Sequence, residues 1–117
     1  MIIFQYSYVL AGMIDARLIP AVAARFKALG EPGRLGLLAE LHGGEKSVTE
    51  LVTATGRSQP NVSQQLSSLA RAGLVASRRQ GNRMFYRLAD PYLVRICDAV
   101  CASLAPQARK PRTRRHA

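Results

Sequence analysis

The chain has 117 residues, 48% of them hydrophobic, seven aromatics (Tyr 4, Phe 3, Trp 0) and 21% charged, which suits one globular domain and excludes a fibrous or wholly disordered chain. Seventeen Lys and Arg stand against seven Asp and Glu, a formal net charge of +10. So few acids, with no Ser-His-Asp set, phosphate-cradling glycine loop or HExxH run, leave no enzyme to argue for, and the charge points instead to a polyanionic partner.

Cys97 and Cys101 are too few for a disulfide scaffold, and no secretory signal is evident, so the sequence reads as cytoplasmic. The apolar run 1–14 lacks a basic start and is shorter than the roughly 20 residues that span a bilayer, so no membrane partner is expected. It reads as an apolar arm, with Met1 or Met13 as the start. Three parts follow: the arm 1–14, a core domain 15–105, and a tail 106–117.

Leu18, Val22, Phe26 and Leu29 recur on one helical face, with Pro20 near its start and Gly30 as its stop. Pro32 opens a second helix, with Leu35, Leu38 and Leu41 facing one way, Arg34 on its outer face, and an end at Gly43–Gly44. Ser47 and Glu50 have the spacing of a capping box at the head of a short third helix, whose inner side is Val48, Leu51 and Val52. Gly56 provides a left-handed turn, Ser58 caps the next helix, and Pro60 falls in that helix's first turn.

The fourth helix has Val62, Leu66 and Leu69 at core spacing and ends at Gly73. Its other faces carry Gln59, Asn61, Ser63, Gln64, Gln65, Ser67, Ser68 and Arg71, amides, hydroxyls and a guanidinium in place of the usual Glu and Lys. Such groups can donate to and accept from base edges and phosphates. Residues 74–79 and 83–88 then read as two strands around Gln80-Gly81-Asn82, with Met84, Tyr86 and Leu88 alternating against Arg83, Phe85 and Arg87. From Leu51 to Ala89 there are six arginines and no acid. The fold class is therefore mainly α with a β-hairpin, a winged helix-turn-helix. The predicted contacts to double-stranded DNA are Ser58, Gln59, Asn61, Ser63, Gln64, Ser67, Ser68 and Arg71 on the helix, with Arg78, Arg79 and Arg83 on the wing along a minor groove or phosphate edge.

A final helix is expected over 91–104, with Leu93, Ile96, Cys97, Val100, Cys101 and Leu104 as an apolar band suited to pairing with a second copy. The two cysteines are four residues apart, so their sulfurs share a face about one turn from each other. Two thiolates suit a soft metal or metalloid ion but leave it short of ligands; oxidation and plain packing are the other readings. Pro106 is expected to end this helix. The run 109–115 carries five cations and is read as part of a disordered basic tail that touches phosphates.

From about Phe26 to Pro91 the sequence resembles the ArsR/SmtB family of winged-helix repressors. The resemblance is carried by Lys27-Ala28-Leu29-Gly30-Glu31-Pro32 with Arg34-Leu35, by Ser47-Val48-Thr49-Glu50-Leu51, by Ser58-Gln59 with Val62-Ser63-Gln64, by Leu66 and Leu69, by Ala72-Gly73-Leu74-Val75, and by Arg78-Arg79-Gln80-Gly81-Asn82 leading to Tyr86-Arg87-Leu88. It implies a homodimer joined through the first and last helices, a fourth helix in each major groove, and an inducer that weakens DNA binding. The family's Cys-x-Cys metal motif is absent from 47–55, and 90–104 has no histidine for its Asp/His site. Gln65 stands where many members carry histidine. With neither metal site carried over, an inducer acting at Cys97 and Cys101 is set beside a non-sensing architectural or constitutive DNA-binding protein with inert cysteines.

Overall fold

The structure, a computed structural model, describes the backbone of residues 14–116 and the side chains of residues 14–105. All of the predicted apolar arm except Ile14 lies outside the described residues. A 3₁₀ turn, Ala16–Leu18, leads into α1 (Ile19–Leu29), followed by α2 (Pro32–His42), β1 (Lys46–Ser47), α3 (Val48–Thr55), α4 (Gln59–Arg71), β2 (Val75–Gln80), β3 (Arg83–Leu88) and α5 (Leu93–His116). Among the described residues no helix is long and apolar enough to cross a membrane.

The local signals act where the chemistry of each residue allows. Pro20 and Pro32 occupy first-turn positions, where a missing N–H costs nothing. Ser47 Oγ accepts the Glu50 backbone N–H at 3.1 Å, and the Glu50 carboxylate accepts the Ser47 N–H at 2.7 Å, closing the capping box. Gly56 closes α3 at φ 71°, its N–H donating to the Val52 carbonyl, and Ser58 Oγ then caps α4 by accepting the Asn61 N–H.

The core is a set of leucines drawn from four of the helices and the α4–β2 junction: Leu37, Leu51, Leu66, Leu69, Leu74 and Leu93 are fully buried, with Val62 among them. Each such side chain contributes about 1.5–3 kcal/mol relative to exposure. Tyr86 and Leu88 of β3 pack on this cluster, as their alternation in the sequence implies.

Four details differ from the sequence expectation. On α2 the inward residues are Leu37, Leu38 and Leu41, while Leu35 is 40% exposed, because the core covers a face rotated from the predicted one. Arg34 is half-buried against the end of α1. The sheet has three strands in the order β1-β3-β2: Lys46 and Ser47 pair with Tyr86 and Phe85, a bridge too short to leave any alternation in the sequence. The hairpin turn is Gly81–Asn82, since Gln80 pairs with Arg83.

The helical backbone of α5 continues past Pro106, where the sequence reading ended it, to His116. A proline inside a helix removes one backbone donor and crowds the carbonyl four residues before it, at a cost of about 3 kcal/mol or more. The side chains of 106–117, the basic tail among them, lie outside the described residues.

Replacing Ser47 by Ala should lower stability by about 1 kcal/mol, read from the midpoint of a urea titration at unchanged slope. The carboxyl of Glu50 is held below the usual glutamate range by the Ser47 backbone N–H, that of Glu45 by hydrogen bonds from Arg78, and that of Glu31 by the Arg34 backbone N–H. Because these groups bind protons more weakly folded than unfolded, the stability they contribute is complete above the unfolded value near ~4.3 and is lost as pH falls below it. The urea midpoint should therefore hold from pH 7 to about 5 and drop beneath that. Glu50→Gln should drop less steeply, and a midpoint that climbs on acidification would contradict the assignment.

Candidate nucleic-acid interface

Burial of Val62, Leu66 and Leu69 fixes the rotation of α4 about its axis. The opposite side presents Gln59, Pro60, Gln64, Ser67 and Arg71, all exposed, while Asn61, Ser63, Gln65 and Ser68 lie half-buried on its flanks. Ser58, at the head of the helix, is exposed and serves as its cap. Arg71 Nη2 lies 3.4 Å from Ser68 Oγ, so the cation is laid along the end of the helix.

Two further arginines reach α4 from outside it. Arg34 Nη1 donates to Gln65 Oε1 at 3.3 Å, and its other nitrogens donate to the carbonyls of Ala28 (2.6 Å) and Lys27 (3.2 Å) at the end of α1. A cation there also complements the negative end of the helix dipole. Arg57 Nη1 donates to Asn61 Oδ1 at 3.4 Å, and its guanidinium lies against Gly33 so closely that a Cβ at that position would stand 2.2 Å from Nη1. Sequence reasoning missed both clamps. The partners of Arg34 are 31 residues away in one case and an unpaired helix end in the other, and no local pattern signals either.

The wing divides its cations. Arg78 makes a two-pronged pair with Glu45 at 2.8 and 2.7 Å and also donates to Gln80. Arg78 and Arg83 both lie over the Phe85 ring, 4.7 and 5.1 Å from its centre, and Arg83 Nη2 donates to Ser47 Oγ at 3.2 Å. Arg79 is exposed and, among the described residues, has no partner. Of the three predicted wing contacts, the structure thus holds Arg78 and Arg83 against the sheet and leaves Arg79 to solvent.

Cys97 and Cys101 line an apolar groove of about 600 Å³ between α1, α2 and α5, together with Phe26, Leu35, Leu38, His42, Val100 and Leu104. Phe26, Leu35, Val100 and Leu104 are 56, 40, 51 and 53% exposed, a large apolar surface for a chain of this size. Both thiols are free; Cys101 is exposed, and burial, then the neighbouring Cys101 and Asp98, push the Cys97 thiol up. Among the described residues no group of three or more His, Cys, Asp or Glu side chains is placed to hold a metal ion. Asp90 accepts the Tyr92 N–H at the head of α5 and pairs with Arg25 of α1, tying the two helices that border the groove.

Residues 31–77 match the family described as bacterial regulatory protein, arsR family. The chain is 43% identical over 81 residues to the biofilm growth-associated repressor of Agrobacterium fabrum, covering 69% of each chain. It is 43% identical over 82 residues to the probable mercury resistance operon repressor of Streptomyces lividans, covering 69% of this chain and 63% of that one, a little under two thirds of it. The solution structure of the homodimeric winged helix-turn-helix DNA-binding domain Mb0332 (fragment 1–100) of Mycobacterium bovis superposes with a TM-score of 0.73 at 35% identity, over 86% of this chain and 94% of that domain. With this fold and these relatives, the chain belongs to the ArsR family of winged helix-turn-helix, DNA-binding transcriptional regulators.

Proposed function

We propose that this regulator is a homodimeric repressor that sets α4 of each protomer into the major groove of a two-fold symmetric operator, with the wing beside it. One observation carries the reading: the solvent-facing side of α4 has amides, a hydroxyl and a guanidinium and no carboxylate, next to a wing whose Arg79 has no partner among the described residues. A two-fold pair demands half-sites separated by about one helical turn or a multiple of it. The apolar groove between α1 and α5 is the surface that pairing would cover, as the homodimeric relative suggests. Ser58, Gln59, Asn61, Ser63, Gln64, Ser67, Ser68 and Arg71 are the proposed groove and phosphate contacts, and Arg78, Arg79 and Arg83 the wing contacts.

For the inducer, we propose a thiol-reactive species acting at Cys97 and Cys101. Soft ions and metalloids bond sulfur more covalently than oxygen. Two sulfurs per protomer, both on the groove that a second copy would cover, allow a dimer to supply the missing ligands. The relative described as a mercury resistance operon repressor supports this chemical class. The contrary observation is the raised Cys97 thiol, which disfavours the thiolate and fits a non-sensing regulator whose cysteines only pack.

A gel shift on the chain's own upstream promoter, with arsenite, mercuric ion, zinc or peroxide added in turn, separates the two. A sensor releases the operator with one of them and the Cys97→Ser, Cys101→Ser double variant does not; retention by the unmodified protein throughout leaves the non-sensing regulator standing. Arg79→Ala should weaken all sequences alike and lower the salt slope of log K by about 1. By contrast, Gln64→Ala should change the base preferred at one position per half-site in a randomised-site selection. An unchanged selected site would remove Gln64 from the reading face.

A further inference from the structure

The two clamps on α4 have a consequence for which bases it reads. Asn61 and Gln65 are four residues apart and share one flank of the helix, and each has its amide oxygen facing a guanidinium, that of Arg57 or Arg34. A guanidinium only donates, so the amide end turned towards it is the oxygen and the NH₂ end is turned away. The reverse arrangement would set N–H against N–H.

Neither arginine is at liberty to follow a base. Arg34 is fastened to the carbonyls of Ala28 and Lys27, and its own backbone N–H is held by the Glu31 carboxylate at 2.8 Å. Arg57 is seated on Gly33, where only the missing Cβ leaves room for it.

An unclamped glutamine or asparagine reads adenine with both ends of its amide, the oxygen accepting from N6 and the NH₂ donating to N7. With one lone pair of its oxygen engaged by an arginine, the same side chain is biased towards donating. We propose that Arg34 biases Gln65 towards donation, favouring a base whose major-groove edge offers acceptors without an amino group, guanine above all through O6 and N7. Arg57 imposes the same chemistry on Asn61. This rests on α4 being the base-reading helix, as proposed above; what it adds is the class of edge read and the positioning residues that decide it.

Selection from randomised duplexes with the full chain tests the assignment. The unmodified protein should enrich guanine at the position facing Gln65. Gln65→Glu keeps an acceptor for Arg34 and removes the donors, so the guanine preference there should fall roughly tenfold. Arg34→Met releases the amide oxygen, and adenine should gain at that same position while the other positions hold. An unmodified protein that enriches no site sinks the α4 reading and this proposal with it. An enriched site that Gln65→Glu leaves unaltered, or one in which the unmodified protein already prefers adenine facing Gln65, overturns the proposal alone. If Arg34→Met fails to fold, Gln65→Glu decides the question, since its clamp is retained.

Discussion

The burial of Val62, Leu66 and Leu69 is the constraint from which the rest of the surface follows. These three side chains at helical spacing are fully buried in one cluster with Leu37, Leu38, Leu41, Leu51, Leu74 and Leu93, and a helix has only one rotation that satisfies such a stripe. Once that rotation is set, Gln64, Ser67 and Arg71 face outwards, whatever their own interactions. The polar outer face of α4 is therefore a by-product of core packing.

Charge is organised by the same frame. Arg78 and Arg83 both lie over the Phe85 ring and are bound to Glu45 and Ser47, so the sheet that carries the wing is braced by cations that a surface reading assigns wholly to DNA. Exposed pairs of this kind are each worth little. Their effect is geometric: long side chains that would otherwise sample many rotamers are given one direction. Among the described residues Arg79, at the hairpin, has no such partner.

What could be read from the residues in order was whatever depends on near neighbours. The capping box at Ser47 and Glu50, the left-handed Gly56, the Ser58 cap and the core stripe of α4 are all decided within four residues, and each stands in the structure where the sequence put it. On α2 one of the three inward residues differs from the sequence reading, Leu37 in place of Leu35, because Leu35, Leu37, Leu38 and Leu41 offer two overlapping helical stripes and only the tertiary core chooses between them. The β1 bridge, the Glu45–Arg78 pair and the Arg34–Gln65 contact join residues more than 30 apart in the chain, and no spacing rule reaches that far. Sequence thus placed the polar face of α4 but not the arginines that its amides face.

Those arginines also connect the two halves of the molecule. The apolar groove, with Cys97 and Cys101, is bordered by α1 and α5, and the Arg25–Asp90 pair links α1 to the start of α5. At its other end α1 terminates in the carbonyls of Lys27 and Ala28, which Arg34 holds with the same guanidinium that engages Gln65. A rotation of α1 that displaced those carbonyls by an ångström would exceed what hydrogen bonds of this length tolerate, so the guanidinium must follow α1 or release it. In the first case Gln65 loses its partner; in the second its partner loses the anchor that fixed its direction. Either way the amide oxygen is no longer held towards a fixed donor. A change at the groove therefore has a mechanical reason to alter the amide edge that α4 presents.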